Sequence, residues 1–381
     1  MADTILILGN GFDIAMDRKT KYADFIEFEK QLFSNPDEEL LEFLKVKNIR
    51  IENYKDNLYL RFINENKATL GDNWSNLETM ISQLADAIMY FKEDMQLLYD
   101  ISAIHPIRIS NESLKKETNF SAKNFIANVF ALFYRRYGWK YLDRDCVLNK
   151  LNHIFIEQLN LLTELLEIYL SYLDYIDFEV RGIEARPTAL DAVSNLSHTY
   201  VLNFNYTNTS GHLYGTSEEK THFIHGRIDL DRTFSRINTM VFGIEDKEND
   251  VNSDLIPYQK YYQRVVKETG NEFEDFFKRT FYDIGDAFGG RIPNSKNIVV
   301  FGHSVDPLDK EIFQKCFELA EKGEYLYRFI FTYFDEPAKR SIIKNLAIIL
   351  GKEKLIELTG KRNVVFIKSD DKDGMKDVLL P

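Results

Sequence analysis

Near its start the chain runs through four apolar residues, Ile5 to Leu8, and then turns polar at Gly9-Asn10-Gly11 with an acid at Asp13. A continuous apolar run of this length, closed by glycine, predicts a strand buried on both faces. From about Tyr22 to Ile176 the period changes. In "NWSNLETMISQLADAIMYF" the residues Leu77, Met80, Ile81, Leu84 and Ile88 recur at spacings of three and four. That spacing predicts an amphipathic helix, with Asp72 or Asn73 as its N-cap. "NFIANVFALFYRRYGWKYL" and the leucine-rich stretch 154–176 follow the same rule. "IHPIRISNESLKKETNF", lying between the first helix and these, reads as a loop. From about residue 198 short apolar runs return: "TYVLNFNYT", "HFIHG", "TMVFGI", "NIVVFGHS", "YRFIFTYF" and "NVVFIK". Helical stretches such as "PLDKEIFQKCFELAEKG" and "EPAKRSIIKNLAIILG" separate several of them. Short buried strands alternating with helices predict a parallel α/β sheet.

The first strand meets no run of its own kind until residue 200. The pattern therefore predicts a doubly wound, mostly parallel α/β sheet of Rossmann-like type with a large helical insertion. Its strands are placed at 4–8, 200–204, 222–225, 240–243, 297–301 and 327–333. The domains follow: 1–20 plus 195–381 as an α/β nucleotide-binding domain, and 21–194 as a helical insertion subdomain. The insertion is expected to pack over the carboxyl ends of the strands and close a cleft there.

Composition narrows the class. Hydrophobic residues make up 44% of the 381 and there are only 8 prolines, enough for a substantial core and too ordered for a disordered chain. A formal charge of −12 argues against a general polyanion binder, so nucleic acid is not an expected partner. Cys146 and Cys316 lie far apart with no metal-like spacing, as thiols in a reducing compartment do. The most apolar long stretch, "IFIEQLNLLTELLEIYLSYLDYI", carries Glu157, Glu164, Glu167 and Asp174, which a membrane span would not tolerate. No membrane partner and a cytoplasmic location are expected.

Ligands of open α/β sheets bind outside the carboxyl ends of the strands. There this sequence places Gly9, Asn10, Gly11 and Asp13, then Asn203, Asn205, Tyr206 and Thr207, then His225-Gly226. Gly243 and Asp246 follow, and last Gly302, His303 and Ser304 with Asp306 and Asp309 beyond. Each group has two readings. The glycine pair is either a phosphate cradle or a tight strand–turn–helix corner. His225 is either a general base or a strand-end hydrogen bonder. Asn205 either orients a water or leaves the strand in an Asx-turn. Gly302-His303-Ser304 either holds phosphate or ribose, or turns a strand into a helix. Tyr137, Trp139 and Tyr141 read as packing, and Arg135 and Arg136 as surface. No H-x-x-x-H or H-x-E spacing is present, so no metal is expected.

"ILGNGFDIAMDRKTKYADF", "NWSNLE", "VLNFNYTNT", "FIHG" and "FGHSVDPLDKEIF", in this order over residues 5–313, resemble the bacteriophage abortive-infection AbiH family. Their pattern is also similar to a remote Sir2-like fold, whose defence members hydrolyse NAD. The resemblance implies an anti-phage protein that cleaves NAD or a related nucleotide at its N-glycosidic bond. It implies a catalytic group of Asn205 to place the water, His225 to accept a proton and Asp13 to act on the ribose. Gly9, Asn10, Gly11 and Phe12 would meet the dinucleotide, with Tyr206 and Gly226 beside the catalytic pair and Gly302, His303 and Ser304 on the adenosine side. Glu78, in "NWSNLE", is expected near the glycine loop. Thr207 stands where an acid is usual. A small-molecule nucleotide is the expected ligand, with a phage-derived trigger and self-association as further partners. Two other readings stay open: a non-catalytic sensor of a nucleotide or ADP-ribose-like signal, and a nuclease-type toxin with a metal at His303, Asp306 and Asp309. Gly11→Val is expected to abolish ligand binding and leave the fold largely intact.

Overall fold

The computed structural model describes residues 2–66, 74–93, 119–136, 138, 144–244, 254–284 and 290–381. The loop read in "IHPIRISNESLKKETNF" as far as Thr118, the N-cap at Asp72 or Asn73, the aromatic run of Tyr137, Trp139 and Tyr141, and Asp246 lie outside the described residues. The chain forms two compact units. One comprises Met1–Thr20, Leu170–Ile228 and Glu268–Pro381; the other comprises Lys21–Tyr169 and Asp229–Lys267.

The first unit is a doubly wound α/β structure. Its strands are β1 (Ala2–Leu8), β2 (Tyr200–Asn203), β3 (Thr221–Phe223), the hairpin β4 (Phe281–Ile284) and β5 (Gly290–Pro293), β6 (Ser295–Phe301), β7 (Tyr327–Tyr333) and β8 (Val364–Lys368). Six of them form one sheet in the order β3-β2-β1-β6-β7-β8. Every pairing in that sheet is parallel, with Leu6 opposite Val201 on one side and Val299 on the other. Alternate side chains feed opposite faces. Ile5 and Ile7 point into a cluster with Phe313, Phe317, Phe329, Phe331 and Leu346. Leu6 and Leu8 point into another with Phe12, Met16, Leu190, Phe301 and Met375. Both faces are thus covered, which is why the strands read as unbroken apolar runs. Helices α1 (Asn10–Ala15), α8 (Thr209–Tyr214), α10 (Lys310–Lys322), α11 (Glu336–Leu350), α12 (Lys352–Gly360) and α13 (Lys372–Val378) complete this unit.

The second unit is helical: α2 (Tyr22–Ser34), α3 (Glu38–Val46), α4 (Leu58–Glu65), α5 (Trp74–Glu93), α6 (Phe120–Arg136), all of α7 (Arg144–Asp174) but its last turn, and α9 (Lys260–Val266). The acids of α7 that break its apolar face have partners. Glu167, almost fully buried, accepts from Arg232 at 2.6 and 2.9 Å and from Asn238 at 3.0 Å. Glu164 accepts from the Tyr54 hydroxyl at 3.2 Å. Among the described residues no helix is long and apolar enough to cross a membrane.

One expected strand is not there. Residues 240–243 are irregular and belong to the helical unit, not to the sheet. Their backbone groups are satisfied otherwise. The Gln263 side chain accepts from Phe242 N at 2.9 Å and donates to Phe242 O at 3.0 Å, doing what a neighbouring strand would do. Ile244 N donates to Tyr258 O at 2.8 Å, in an isolated bridge. A buried apolar run needs its polar backbone paired, and a side-chain amide can supply that without a sheet.

Candidate functional site

In the six-stranded sheet the strand order reverses between β1 and β6, the position at which such folds open a crevice at their carboxyl edge. The loops that follow these two strands are in close backbone contact. Gly9 N donates to Phe301 O at 3.0 Å and Gly11 N donates to Gly302 O at 2.8 Å. A Cβ on Gly9 would stand 2.7 Å from His303 Cα, and one on Gly11 2.7 Å from Gly302 Cα. Gly302 has φ +69°, and a Cβ there would lie 2.2 Å from Phe12 N. All three glycines are therefore accounted for by one loop lying on another. The expectation that Gly11→Val spares the fold fails on this contact, since the side chain would meet backbone. Asn10 donates to Thr20 O at 3.1 Å, and the Phe12 ring is core, edge-on to Phe301.

Asp13 turns inward from the first turn of α1. It is 1% exposed, and its Oδ2 accepts from the Thr207 hydroxyl at 2.6 Å. Its Oδ1 has no hydrogen-bond partner among the described residues. Burial pushes this carboxyl above its ordinary range, against the pull of Arg18 and the Thr207 hydroxyl. Arg18 is itself buried, with Nε 2.9 Å from Asp177 Oδ2, further bonds to Asp174 and Thr209, and its guanidinium 4.8 Å from the Phe178 ring. Burial raises Asp174 to about 6 in spite of Arg18. One guanidinium thus sits among three carboxylates.

Asn205 Nδ2 donates to Gly9 O at 3.1 Å, so the amide at the end of β2 is fixed on the glycine loop. The neighbouring Asn203 receives Asn205 N and donates to Thr207 O, both at 2.9 Å. Tyr206 is half-buried, and Gly226, with φ +73°, turns the chain directly after His225. Ser304 is exposed, and its carbonyl accepts from Asn345 at 3.1 Å.

His225 and His303 face a common carboxylate. His225 Nε2 lies 3.2 Å from Asp309 Oδ1, and His303 Nε2 lies 3.6 Å from Asp309 Oδ2. Phe204 packs edge-on against both rings, at 5.6 and 4.3 Å between centroids. The loop that carries His303 is strained: Val305, β-branched and fully buried, has φ +55°. Its amide donates to His303 Nδ1 at 2.8 Å. Among the described residues no group of three or more His, Cys, Asp or Glu side chains is arranged to hold a metal ion.

The sequence-expected residues of this unit thus stand at one edge of the sheet but on separate partners: Asn205 on Gly9, Asp13 on Thr207, His225 on Asp309. Glu78 belongs to the helical unit, where it pairs with Lys260 at 3.0 Å. The joining of Arg18 to Asp174 and Asp177 had no signal in the sequence, since nothing in spacing pairs residues more than 150 positions apart. Residues 5–330 match the family model for bacteriophage abortive infection AbiH. The chain belongs to the AbiH family. No curated protein and no solved structure matched it. Membership assigns this AbiH chain to bacteriophage abortive infection and covers both glycine loops, Asn205, His225 and Asp309.

Proposed function

We propose that this AbiH protein acts against phage by hydrolysing NAD or a related nucleotide at its N-glycosidic bond, on the carboxyl edge of the parallel sheet. The observation that carries this reading is His225, an imidazole beyond the end of β3 braced by the Asp309 carboxylate at 3.2 Å. The all-parallel strand order and the similarity to Sir2-like defence proteins support it. Cleavage of the nicotinamide–ribose bond passes through an oxocarbenium-like state. His225 takes a proton from a ribose hydroxyl or from the attacking water. Asn205, its Nδ2 committed to Gly9 O, offers Oδ1 to that water. Asp13 works through Thr207, whose hydroxyl it holds, and adds negative charge behind the site, where low dielectric strengthens it. The loop-on-loop contact of Gly9, Gly11 and Gly302 sets the floor of the site instead of cradling phosphate.

Incubation of the purified protein with NAD, followed by chromatography, tests the reading. Nicotinamide and ADP-ribose are expected in equal amounts. His225→Ala should lower turnover by ~10²–10⁴-fold, the usual contribution of a general base, in a variant that remains folded by circular dichroism. Intact NAD both in vitro and in phage-infected cells overturns hydrolysis. Tight nucleotide binding without cleavage would then establish the sensor instead, a reading favoured by the engagement of Asn205 with the glycine loop.

A further inference from the structure

We infer that Phe334 is the stacking platform for the base of the nucleotide half that lies away from His225, the adenine when the ligand is NAD. The inference rests on the proposed site at His225 and starts from the strand order. In a sheet ordered β3-β2-β1-β6-β7-β8 a dinucleotide lies across the reversal between β1 and β6, one half over each set of strands. Asn205 and His225 stand beyond β2 and β3, so the scissile bond takes that half. The second nucleoside then falls beyond β6, β7 and β8. From β2 to β7 there are three strand spacings, ~14 Å, within the reach of an extended dinucleotide. Of the residues that follow these three strands, His303 is buried against Phe204 and Phe313. Ser304, Asp335, Ser369 and Asp370 carry no ring. Phe334, directly after β7, does.

Phe334 is 79% exposed, the highest value among the large apolar residues described. A lone exposed phenylalanine is ordinary on a protein surface; the setting of this one is not. The backbone that carries it is fixed on both sides. Just before it, the Tyr333 carbonyl accepts from Ser369 N at 2.9 Å, and the Thr332 hydroxyl donates to Val300 O of β6 at 3.1 Å. Just after it, the Asp335 side chain caps α11 by accepting from Ala338 N at 2.8 Å. Asn345 of the same helix donates to Ser304 O at 3.1 Å, which ties α11 to the loop beyond β6. The glycine loop, the helix and the chain at Phe334 are thereby joined before any ligand arrives, and only the ring is left to place. A ring held in this way at the carboxyl edge offers its π face to a flat base, and stacking needs no hydrogen-bond partner. The family match ends at residue 330, so membership does not assign this role.

Calorimetry on the full chain with two probes tests this: ADP-ribose, which carries the adenine, and nicotinamide mononucleotide, which lacks it. Phe334→Ala should weaken ADP-ribose by roughly 5- to 150-fold, the range of one base–aromatic stack, and leave nicotinamide mononucleotide unchanged. Phe334→Tyr should bind both as the wild type does. With NAD as substrate, Phe334→Ala should raise KM by a similar factor and leave kcat little altered. Unchanged ADP-ribose affinity in Phe334→Ala, an equal loss for both probes, or a wild type that binds no ADP-ribose overturns the inference. NAD cleaved by Phe334→Ala at the wild-type KM overturns it and leaves the hydrolase standing. The expected loss of ADP-ribose affinity in a protein that leaves NAD intact supports the inference and removes the hydrolase reading. Phage protection lost in Phe334→Ala at unchanged ADP-ribose affinity would assign the ring to a protein partner instead.

Discussion

Asp174, like Asp13, is shifted the opposite way from Asp3 and Asp229. Burial raises all of them, but in Asp3 the bonds from Thr280, Lys296 and Asn294 win, and in Asp229 the amides of Phe234, Thr233 and Ser235 do, so both end below the ordinary range. Asp174 shares Arg18 with Asp13 and Asp177, and burial leaves it raised to about 6. The signs follow from linkage. A carboxyl raised in the folded state contributes its full stability below its unfolded value near 3.8 and loses it as pH rises through about 6. Asp3 and Asp229 do the reverse, stabilising at neutral pH and failing in acid. The stability of the wild type relative to Asp174→Asn should therefore grow from pH 7 to pH 5 by about 1 kcal/mol, at 1.36 kcal/mol per pH unit. Urea unfolding at the two pH values measures it. An equal difference at both would show that Asp174 stays ionised throughout.

At the level of elements, the glycine loops invite a comparison within the chain. Gly302 and Gly182 share a left-handed backbone, φ +69° and +61°. A Cβ on Gly182 meets nothing within 4 Å, whereas one on Gly302 meets Phe12 N at 2.2 Å. Both alanine variants gain the same unfolded-state term and pay a similar strain for positive φ. The difference between them isolates the loop contact. Gly302→Ala should be less stable than Gly182→Ala by about 1–3 kcal/mol, the range of crowded backbone sites, by denaturant unfolding. Equal costs would mean that the loops part easily. These loops also show what the sequence held. Gly9, Gly11 and Gly302 were visible as strand-end glycines, and the apolar runs of β1, β6 and β7 were visible as strands because both faces of the sheet are covered. What each glycine touches was not visible, because the contact joins residues nearly three hundred positions apart. The run at 240–243 misled for a local reason: burial of a strand and burial under a Gln263 amide leave the same apolar signature. Asp309 was visible as a strand-end acid, but its place between His225 and His303 depends on three loops meeting.

For the whole molecule, charge and family decide which cellular reading is worth testing. A chain with a formal charge of −12 has little long-range attraction for duplex DNA, whose binding rests on neutralising phosphates. A small nucleotide is different, since a few local groups suffice to hold it. Abortive infection through such a substrate makes two measurements move together. In phage-challenged cells that express the wild type, the NAD pool should fall and plaque formation should drop. His225→Ala and Asp309→Asn, at equal expression, should keep the pool and lose protection. Gly182→Ala, placed on an open turn, should behave as the wild type. Protection that survives His225→Ala while NAD stays constant would detach the defence from this edge of the sheet. Protection lost in His225→Ala with NAD constant in every strain would keep the site and change its substrate. The site therefore stands or falls on plaque counts, and NAD on the nucleotide pool.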